Sequence, residues 1–236
     1  MTQPFRKGSD YVSTFWPDLK LRMLEDRIEL TLGEELHTLS SAIWPGGFSQ
    51  TRAFVNWKVP LHYDGNRPIQ ELKERLEGWG FAPDSTVGFM TAAKLTHASV
   101  IEIEGEGFRL FCCTTAGTRN AARAGLPRQT YSAYHAGTIN TIVAIDGAMT
   151  DSALANAFIT ATEAKAAALQ WLEIKEEANG GIATGTTTDA LAIGATQRKL
   201  GDAVHAYAGA ATTIGCAIGE AVYKTVLEAA ATQHEV

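Results

Sequence analysis

Alternating hydrophobic and polar positions dominate the first half of the chain. Between Leu19 and Leu32, apolar residues alternate with polar ones on both sides of a central acidic dipeptide, a pattern that predicts two short strands joined by a turn. Similar runs predict further strands over 37–44 and 52–59. Two more apolar runs between Ser99 and Cys113 flank a Glu-Gly-Glu-Gly sequence, which is typical of a β-hairpin.

Helical spacing appears after these strands and fills much of the second half. A helix is predicted after Asn66, with Pro68 in its first turn. Thr150 is expected to cap a long helix that reaches about Leu172. A final helix is expected over 211–230, after a strand over 190–194.

The order of these elements indicates the fold class. Hairpins come first, and a strand–helix–strand–helix order follows. This favours an α+β or mixed α/β fold, with a mixed, largely antiparallel sheet and packed helices. No linker or repeat divides the chain, so a single domain over 1–236 is expected, with residues 1–17 as a loosely ordered N-terminal segment.

Composition and charge narrow the function classes. The chain has 236 residues, a net charge of −6 and three cysteines without CxxC spacing. An acidic chain does not favour general binding to a phosphate backbone, so no nucleic-acid partner is predicted. No apolar run is long enough for a membrane span, and the N-terminus lacks a signal-peptide core. A cytoplasmic protein with reduced cysteines is therefore expected.

Common catalytic motifs are missing from the sequence. It contains no P-loop, no GxGxxG, no GxSxG elbow and no HExxH. The six histidines are scattered without the spacing of a ligand set. No metal site is predicted, and the metal requirement is left open.

The most unusual segment is Ala183–Ala190, which packs four threonines and one aspartate around a glycine. Asp189 could activate a water molecule as a general base, and the other polar positions could hold a polar substrate. An ordinary threonine-rich turn capped by Asp189 is an equally good interpretation. The candidate substrate-binding residues in this segment are Thr184, Gly185, Thr186 and Thr188.

Two further groups of polar residues lie directly after one predicted strand and at the start of another, over 137–145. The first group, directly after the strand of the hairpin, contains Thr115, Gly117 and Asn120, and a long loop to Ala136 comes after it. The second group contains Asn140, whose amide could bind an amide edge of a substrate or could satisfy the backbone of the sheet. Strand ends commonly line sites in α/β proteins.

Two further candidates complete the set. Lys165 lies near the centre of the apolar face of the long helix, where it must snorkel or find a partner. If buried, it could stabilise a developing oxyanion. Gly46 and Gly47 allow unusual backbone angles or close approach of a ligand, and Asn56 lies in the next strand. A plain turn explains the glycines equally well.

Taken in order, these blocks resemble one enzyme family. The succession SSAIWPGG, VNWKVP, GFMTAA, TAGTRNAARAG, GTINTIVAIDG, TATEAKAAAL, ATGTTTDA, YAG and TTIGCAIGEAVY is similar to the adenosylcobinamide amidohydrolases (CbiZ type). The similarity spans about Leu36 to Val226. One departure is Thr187, where the family's TGTGTD block has glycine; a glycine that needs a positive φ would make Thr187 strained.

The resemblance implies hydrolysis of the amide that joins the propionyl arm of the corrin ring to aminopropanol. The products would be adenosylcobyric acid and 1-amino-2-propanol, in salvage of cobinamide. The expected partner is adenosylcobinamide or a related corrinoid, which is the substrate, so no cofactor is predicted. A homodimer is left open.

The residues suggest two routes for such a hydrolysis. In the preferred one, water attacks the carbonyl with Asp189 as base, Asn120 or backbone amides near Gly117 hold the oxyanion, and Lys165 assists charge balance. In the other, a threonine hydroxyl, Thr114 or Thr115, is the nucleophile. A non-catalytic corrinoid-binding protein and a structural or regulatory protein are the alternatives outside catalysis.

Overall fold

The computed structural model describes residues 3–63, 65–126, 137–177 and 179–235. Eleven strands and three α-helices are found in these ranges. The strands are β1 (Asp10–Val12), β2 (Lys20–Met23), β3 (Arg27–Ser40), β4 (Gly47–Lys58), β5 (Thr86–Thr91), β6 (Ser99–Gly105), β7 (Phe108–Ala116), β8 (Ala121–Ala122), β9 (Ile139–Asp146), β10 (Gly185–Thr186) and β11 (Ala190–Ala195). The helices are α1 (Pro68–Gly78), α2 (Asp151–Trp171) and α3 (Thr213–Thr232).

Nine strands form one mixed sheet. The hydrogen-bonded order is β1-β2-β3-β11-β9-β7-β6, and β4 pairs with β3 and with β5. The pairs β11–β9 and β4–β5 are parallel, and the other pairs are antiparallel. Strands β8 and β10 form a separate antiparallel ribbon. The expected α+β class with a largely antiparallel mixed sheet is confirmed.

The positions of the buried side chains show that this sheet forms two layers. On β9, Ile139, Val143 and Ile145 belong to the core shared with α2 and α3, whereas Ile142 and Ala144 belong to a second core. Successive side chains of a strand point to opposite faces, so the second core lies on the far side of β9. It is filled from β2 to β5 by the side chains of Leu21, Ile28, Leu30, Phe54, Val87 and Phe89.

A third core places α1 on the outside of the second layer. Leu72 and Leu76 of α1 pack with Val55 and Trp57 of β4, which alternate with the inward-facing Phe54. The order through the molecule is therefore α2 and α3, then β11-β9-β7-β6, then β2 to β5, then α1. The helix layer that carries Lys165 thus covers β9 and β11.

Most element positions agree with the sequence pattern. The strand predicted over 37–44 is wrong as a separate element, because β3 runs without interruption from Arg27 to Ser40 and its register against β4 shifts between Thr31 and Leu36. At the N-terminus, Phe5 and Trp16 are buried in the second core. No helix in the described ranges combines the length and apolar character that a bilayer-spanning segment needs.

Candidate functional site

Asp189, the carboxylate of the candidate segment, accepts four hydrogen bonds. Its Oδ1 accepts from the backbone N–H of Ile139 at 3.0 Å and from the Thr186 hydroxyl at 2.5 Å. Its Oδ2 accepts from the backbone N–H of Thr186 at 2.9 Å and from Lys165 Nζ. A carboxylate has about four lone-pair sites, so these four donors fill them.

Lys165 reaches Asp189 from α2. The two side chains form an ion pair and are only 18% and 13% exposed, respectively. The lysine on the apolar helix face therefore has a partner, and the snorkelling interpretation is not needed. Because both groups are largely removed from water, loss of either one would leave the other as an uncompensated buried charge.

Gly185 makes room for this ion pair. A Cβ added at Gly185 would lie 2.4 Å from Asp189 Oδ2 and 2.9 Å from Lys165 Nζ, distances that no side chain can occupy. The glycine is therefore required for the close approach of the ribbon β8–β10 to the pair.

A pocket opens beside the pair, on the side of the sheet covered by α2 and α3. Its volume is about 140 Å³. Ser41, just beyond the end of β3, contributes to the wall opposite α2. The lining residues are Ser41, Ile139, Thr141, Phe158, Ala161, Thr162, Lys165, Asp189, Ala190, Leu191 and Val222.

Asn120 holds the turn that precedes Asp189. Its Nδ2 donates to the hydroxyl oxygens of Thr187 at 2.7 Å and Thr188 at 3.4 Å. The Thr188 hydroxyl in turn donates to the carbonyl of Gly137 at 2.7 Å. Asn120 Oδ1 is buried and finds no partner in the described part of the chain. Asn120 and Asp189 thus belong to one bonded cluster.

The exchange of glycine for threonine at position 187 is accommodated. The non-glycine residues with positive φ in the described ranges are Glu173 and Gln197, so Thr187 does not occupy the left-handed region. The strain that a positive φ would impose there is absent.

Asn140, Asn56 and Thr115 come together as well, but on the other face of the sheet. Asn140 Nδ2 donates to Asn56 Oδ1 and to the carbonyl of Met90, both at 2.9 Å. Asn56 Nδ2 donates to the Thr115 hydroxyl at 2.8 Å. All three are nearly fully buried. They tie β9 and β7 to β4, across the interface of the two sheet layers, away from the pocket.

The hydroxyl of Thr114 points the opposite way from Thr115, into the helix-side core. It lies 3.0 Å from the hydroxyl of Thr141 and 2.9 Å from that of Thr225. Thr114 and Thr115 are 0% and 1% exposed. Neither hydroxyl lines the pocket.

The remaining predicted residues lie around the cluster or away from it. Thr184 accepts from the backbone N–H of Ala124 at 2.9 Å and so supports the β8–β10 ribbon. The backbone N–H of Gly117 donates to the carbonyl of Thr138 at 2.9 Å. Gly46 and Gly47 lie at the β3–β4 turn, where Gly47 has a φ of +79°, and it is Ser41 that this region contributes to the pocket lining.

Sequence reasoning did not select Ser41, Thr162 or Phe158. A signal existed for each, because Ser41 is in the SSAIWPGG block and the other two are neighbours of Lys165 on the helical wheel. In the described ranges, no three His, Cys, Asp or Glu side chains are grouped so that they could hold a metal ion.

The chain is similar to proteins of two archaea. An adenosylcobinamide amidohydrolase of Methanosarcina mazei is 30% identical over 188 residues, which cover 77% of this chain and 84% of that protein. One of Halobacterium salinarum is 28% identical over 189 residues, covering 78% and 75%. Among solved structures, a Burkholderia β-aminopeptidase matches 94% of this chain and 82% of its own, with 13% identity and a TM-score of 0.43.

The family profile described as adenosylcobinamide amidohydrolase (CbiZ) matches residues 18–236. This range contains the Asp189–Lys165 pair, the turn bonded to Asn120 and the pocket beside them. The chain belongs to the adenosylcobinamide amidohydrolase family.

Proposed function

We propose that this protein hydrolyses the amide between the corrin propionyl arm and aminopropanol in adenosylcobinamide. The products are adenosylcobyric acid and 1-amino-2-propanol, and the role is salvage of incomplete corrinoids. Family membership and the names of the relatives support the reaction class. The observation that carries the proposal is the shielded Asp189–Lys165 pair at the wall of a pocket.

The pair supplies the two functions that amide hydrolysis needs. Attack of water on the carbonyl requires a proton acceptor and a positive group near the developing oxyanion. Three of the four donors to Asp189 come from the backbone or from its own turn. The fourth donor, Lys165 Nζ, lies at the end of a flexible side chain. In the proposed mechanism, Lys165 moves toward the substrate carbonyl oxygen and frees a lone pair on Asp189.

The proton balance closes within this site. Asp189 accepts one proton from the attacking water, whose oxygen forms the new bond to the carbonyl carbon. When the tetrahedral intermediate breaks down, the C–N bond opens and Asp189 returns the proton to the leaving amine. The acid remains on the corrin arm and 1-amino-2-propanol departs.

The other candidate residues divide by their position. Thr186 bonds Asp189 directly, and Gly185 leaves room for the ion pair. Thr188, Thr184 and Asn120 hold the turn and ribbon that carry Asp189. Because the N–H groups of Asn120 and Gly117 are already bonded within the protein, the geometry favours Lys165 as the oxyanion group.

Burial argues against substrate contact at three of the predicted binding residues. Asn140, Asn56 and Thr115 act on the site through the position of β9, not by touching a ligand in the pocket. The buried hydroxyls of Thr114 and Thr115 likewise favour water over threonine as the nucleophile.

The test is incubation of the purified protein with adenosylcobinamide, with and without chelator, followed by chromatography of the corrin product and assay of 1-amino-2-propanol. We expect both products from the wild type, and a loss of about 10²–10⁴-fold for Asp189→Asn. Asp202→Asn, at an exposed position, is the matched control and keeps full turnover.

Two outcomes would contradict the proposal. A folded Asp189→Asn variant with full turnover removes Asp189 as the base. Corrinoid binding by the wild type without release of 1-amino-2-propanol favours the non-catalytic corrinoid-binding alternative.

A further inference from the structure

A shallow groove continues from the pocket along α2. It has a volume of about 500 Å³ and runs between α2 and the end of β3. Its apolar surface comes from Leu39, Phe158 and Ile159. Ile159 is 57% exposed, so its side chain is open to a ligand in the groove.

The groove and the pocket are continuous. Ser41, Phe158 and Thr162 line both. On α2, residues 155, 158, 159, 162 and 165 follow helical spacing and form one stripe. At 1.5 Å per residue, the stripe is about 15 Å long. It begins at Ala155 in the groove and ends at Lys165 beside Asp189.

We propose that this groove holds the corrin macrocycle of the substrate while one amide arm enters the pocket. The inference rests on the proposed function and names where the body of that substrate lies. Leu39, Phe158 and Ile159 offer an apolar surface to a flat ring. Ser41, Thr162 and Glu163 at the rim provide hydroxyl and carboxylate oxygens, which can accept hydrogen bonds from amide groups around the ring.

A second copy of the chain is the other occupant to weigh against the ring. A stable protein interface buries roughly 800 Å² on each partner, and three apolar side chains in a shallow groove supply much less. The groove is also continuous with the pocket that Asp189 and Lys165 line, a connection that a contact between two copies does not require. Both points favour a small flat ligand.

The test compares Ile159→Glu with Trp171→Glu. Both introduce one carboxylate on an exposed position of α2, since Trp171 is 73% exposed, and only Ile159 lies in the groove. We expect Ile159→Glu to raise the KM for adenosylcobinamide about tenfold or more, with kcat little changed, because the apolar contact with the ring is lost. Trp171→Glu leaves both constants as in the wild type.

Equilibrium dialysis with adenosylcobinamide tests binding in the groove independently of the hydrolysis reaction. Weaker binding to Ile159→Glu supports the groove even if the wild type releases no amine. Wild-type turnover with an unchanged KM and dissociation constant for Ile159→Glu overturns the groove and leaves the proposed function intact. A dimer in sedimentation that Ile159→Glu dissociates, with KM unchanged, assigns the groove to a second copy and also overturns the proposal.

Discussion

At the scale of single residues, the candidate site depends on how closely Gly185 lets the chain approach the Asp189–Lys165 pair. Asp189 accepts four hydrogen bonds, and a Cβ added at position 185 would lie 2.4 Å from its Oδ2. The carboxylate cannot move aside without losing some of these partners. The space at Gly185 is therefore as important to the pair as the charges are.

We expect Gly185→Ala to reduce turnover of adenosylcobinamide by about 10²-fold or more, because a misplaced catalytic group loses that much. Gly8→Ala is the matched control, since a Cβ there meets no atom within 4 Å. Steady-state kinetics of both variants, with circular dichroism to verify folding, is the measurement. Equal activity of the two variants would show that the pair tolerates displacement.

The sequence marked Asp189, Lys165 and Gly185 as candidates, because a carboxylate, a lysine on an apolar face and a glycine in a threonine run are each unusual where they stand. It could not assign their contacts. The pairing joins α2 to the turn before β11, 24 positions apart, and spacing along one element does not report contacts between elements. For the same reason the sequence could not show the partners of Asn140. Its amide was expected to bind substrate but is bonded to Asn56 and Met90.

At the scale of elements, α2 begins at the capping residue predicted from the sequence, and α3 begins at a threonine of the same kind. Thr150 precedes α2, and its hydroxyl accepts from the backbone N–H of Ala153 at 3.1 Å. Thr212 does the same for α3, with Gly215 as donor at 3.0 Å. Each cap satisfies an N–H that the helix itself cannot bond.

Replacing the cap of α2 should therefore have a measurable effect on stability. We expect Thr150→Ala to lower the free energy of unfolding by about 1 kcal/mol, and Thr150→Ser, which keeps the hydroxyl, to lower it by much less. Urea denaturation followed by tryptophan fluorescence measures both. Equal losses for the alanine and serine variants would mean that the methyl group, not the cap, stabilises this end.

The hydrophobic pattern predicted the ends of the strands less well than the ends of the helices. The polar and glycine positions between Leu32 and Leu36 interrupt the alternation and suggested an end, but β3 continues through them with a shift in register. Such a bulge depends on what the partner strand offers, which a single run of sequence does not record.

At the scale of the whole molecule, the folding of one sheet into two layers was beyond the sequence. Strand β9 is buried on both faces, so its sequence is a nearly continuous apolar run. Such a run has no periodicity that would distinguish a helix layer from a second sheet layer above either face. The polar residues Asn56, Asn140 and Thr115 mark the place where the two layers meet, and their mutual bonds explain why amides occur inside a core.

Residues 3–6 and Glu235 meet near a buried histidine. His97 is 7% exposed, and its carbonyl accepts from Gln3 Nε2 at 2.8 Å. Beside it, Arg6 pairs with Glu235 at 2.7 Å. Lys94 donates to the carbonyl oxygen of Glu235. His97 Nε2 finds no hydrogen-bond partner in the described part of the chain.

This junction should make the fold sensitive to mild acid. Burial lowers the pKa of His97, and the positive charges of Arg6 and Lys94 lower it further, against a smaller opposing effect of Glu235. An unfolded histidine has a pKa of about 6.5, so the unfolded chain binds the proton more tightly. The contribution of a neutral His97 to stability is complete above about pH 6.5 and is lost as the pH falls toward the folded pKa.

We expect His97→Gln to reduce the fall in the urea midpoint between about pH 7.5 and pH 5.5, because glutamine takes up no proton in this range. The exposed His62→Gln is the control and should retain the wild-type fall. For each of the three proteins, the urea midpoint at the lower pH is subtracted from the midpoint at the higher pH. This subtraction cancels any pH-independent cost of replacing a buried ring. An identical fall in all three would place the acid sensitivity elsewhere and leave the junction at His97 without a role in it.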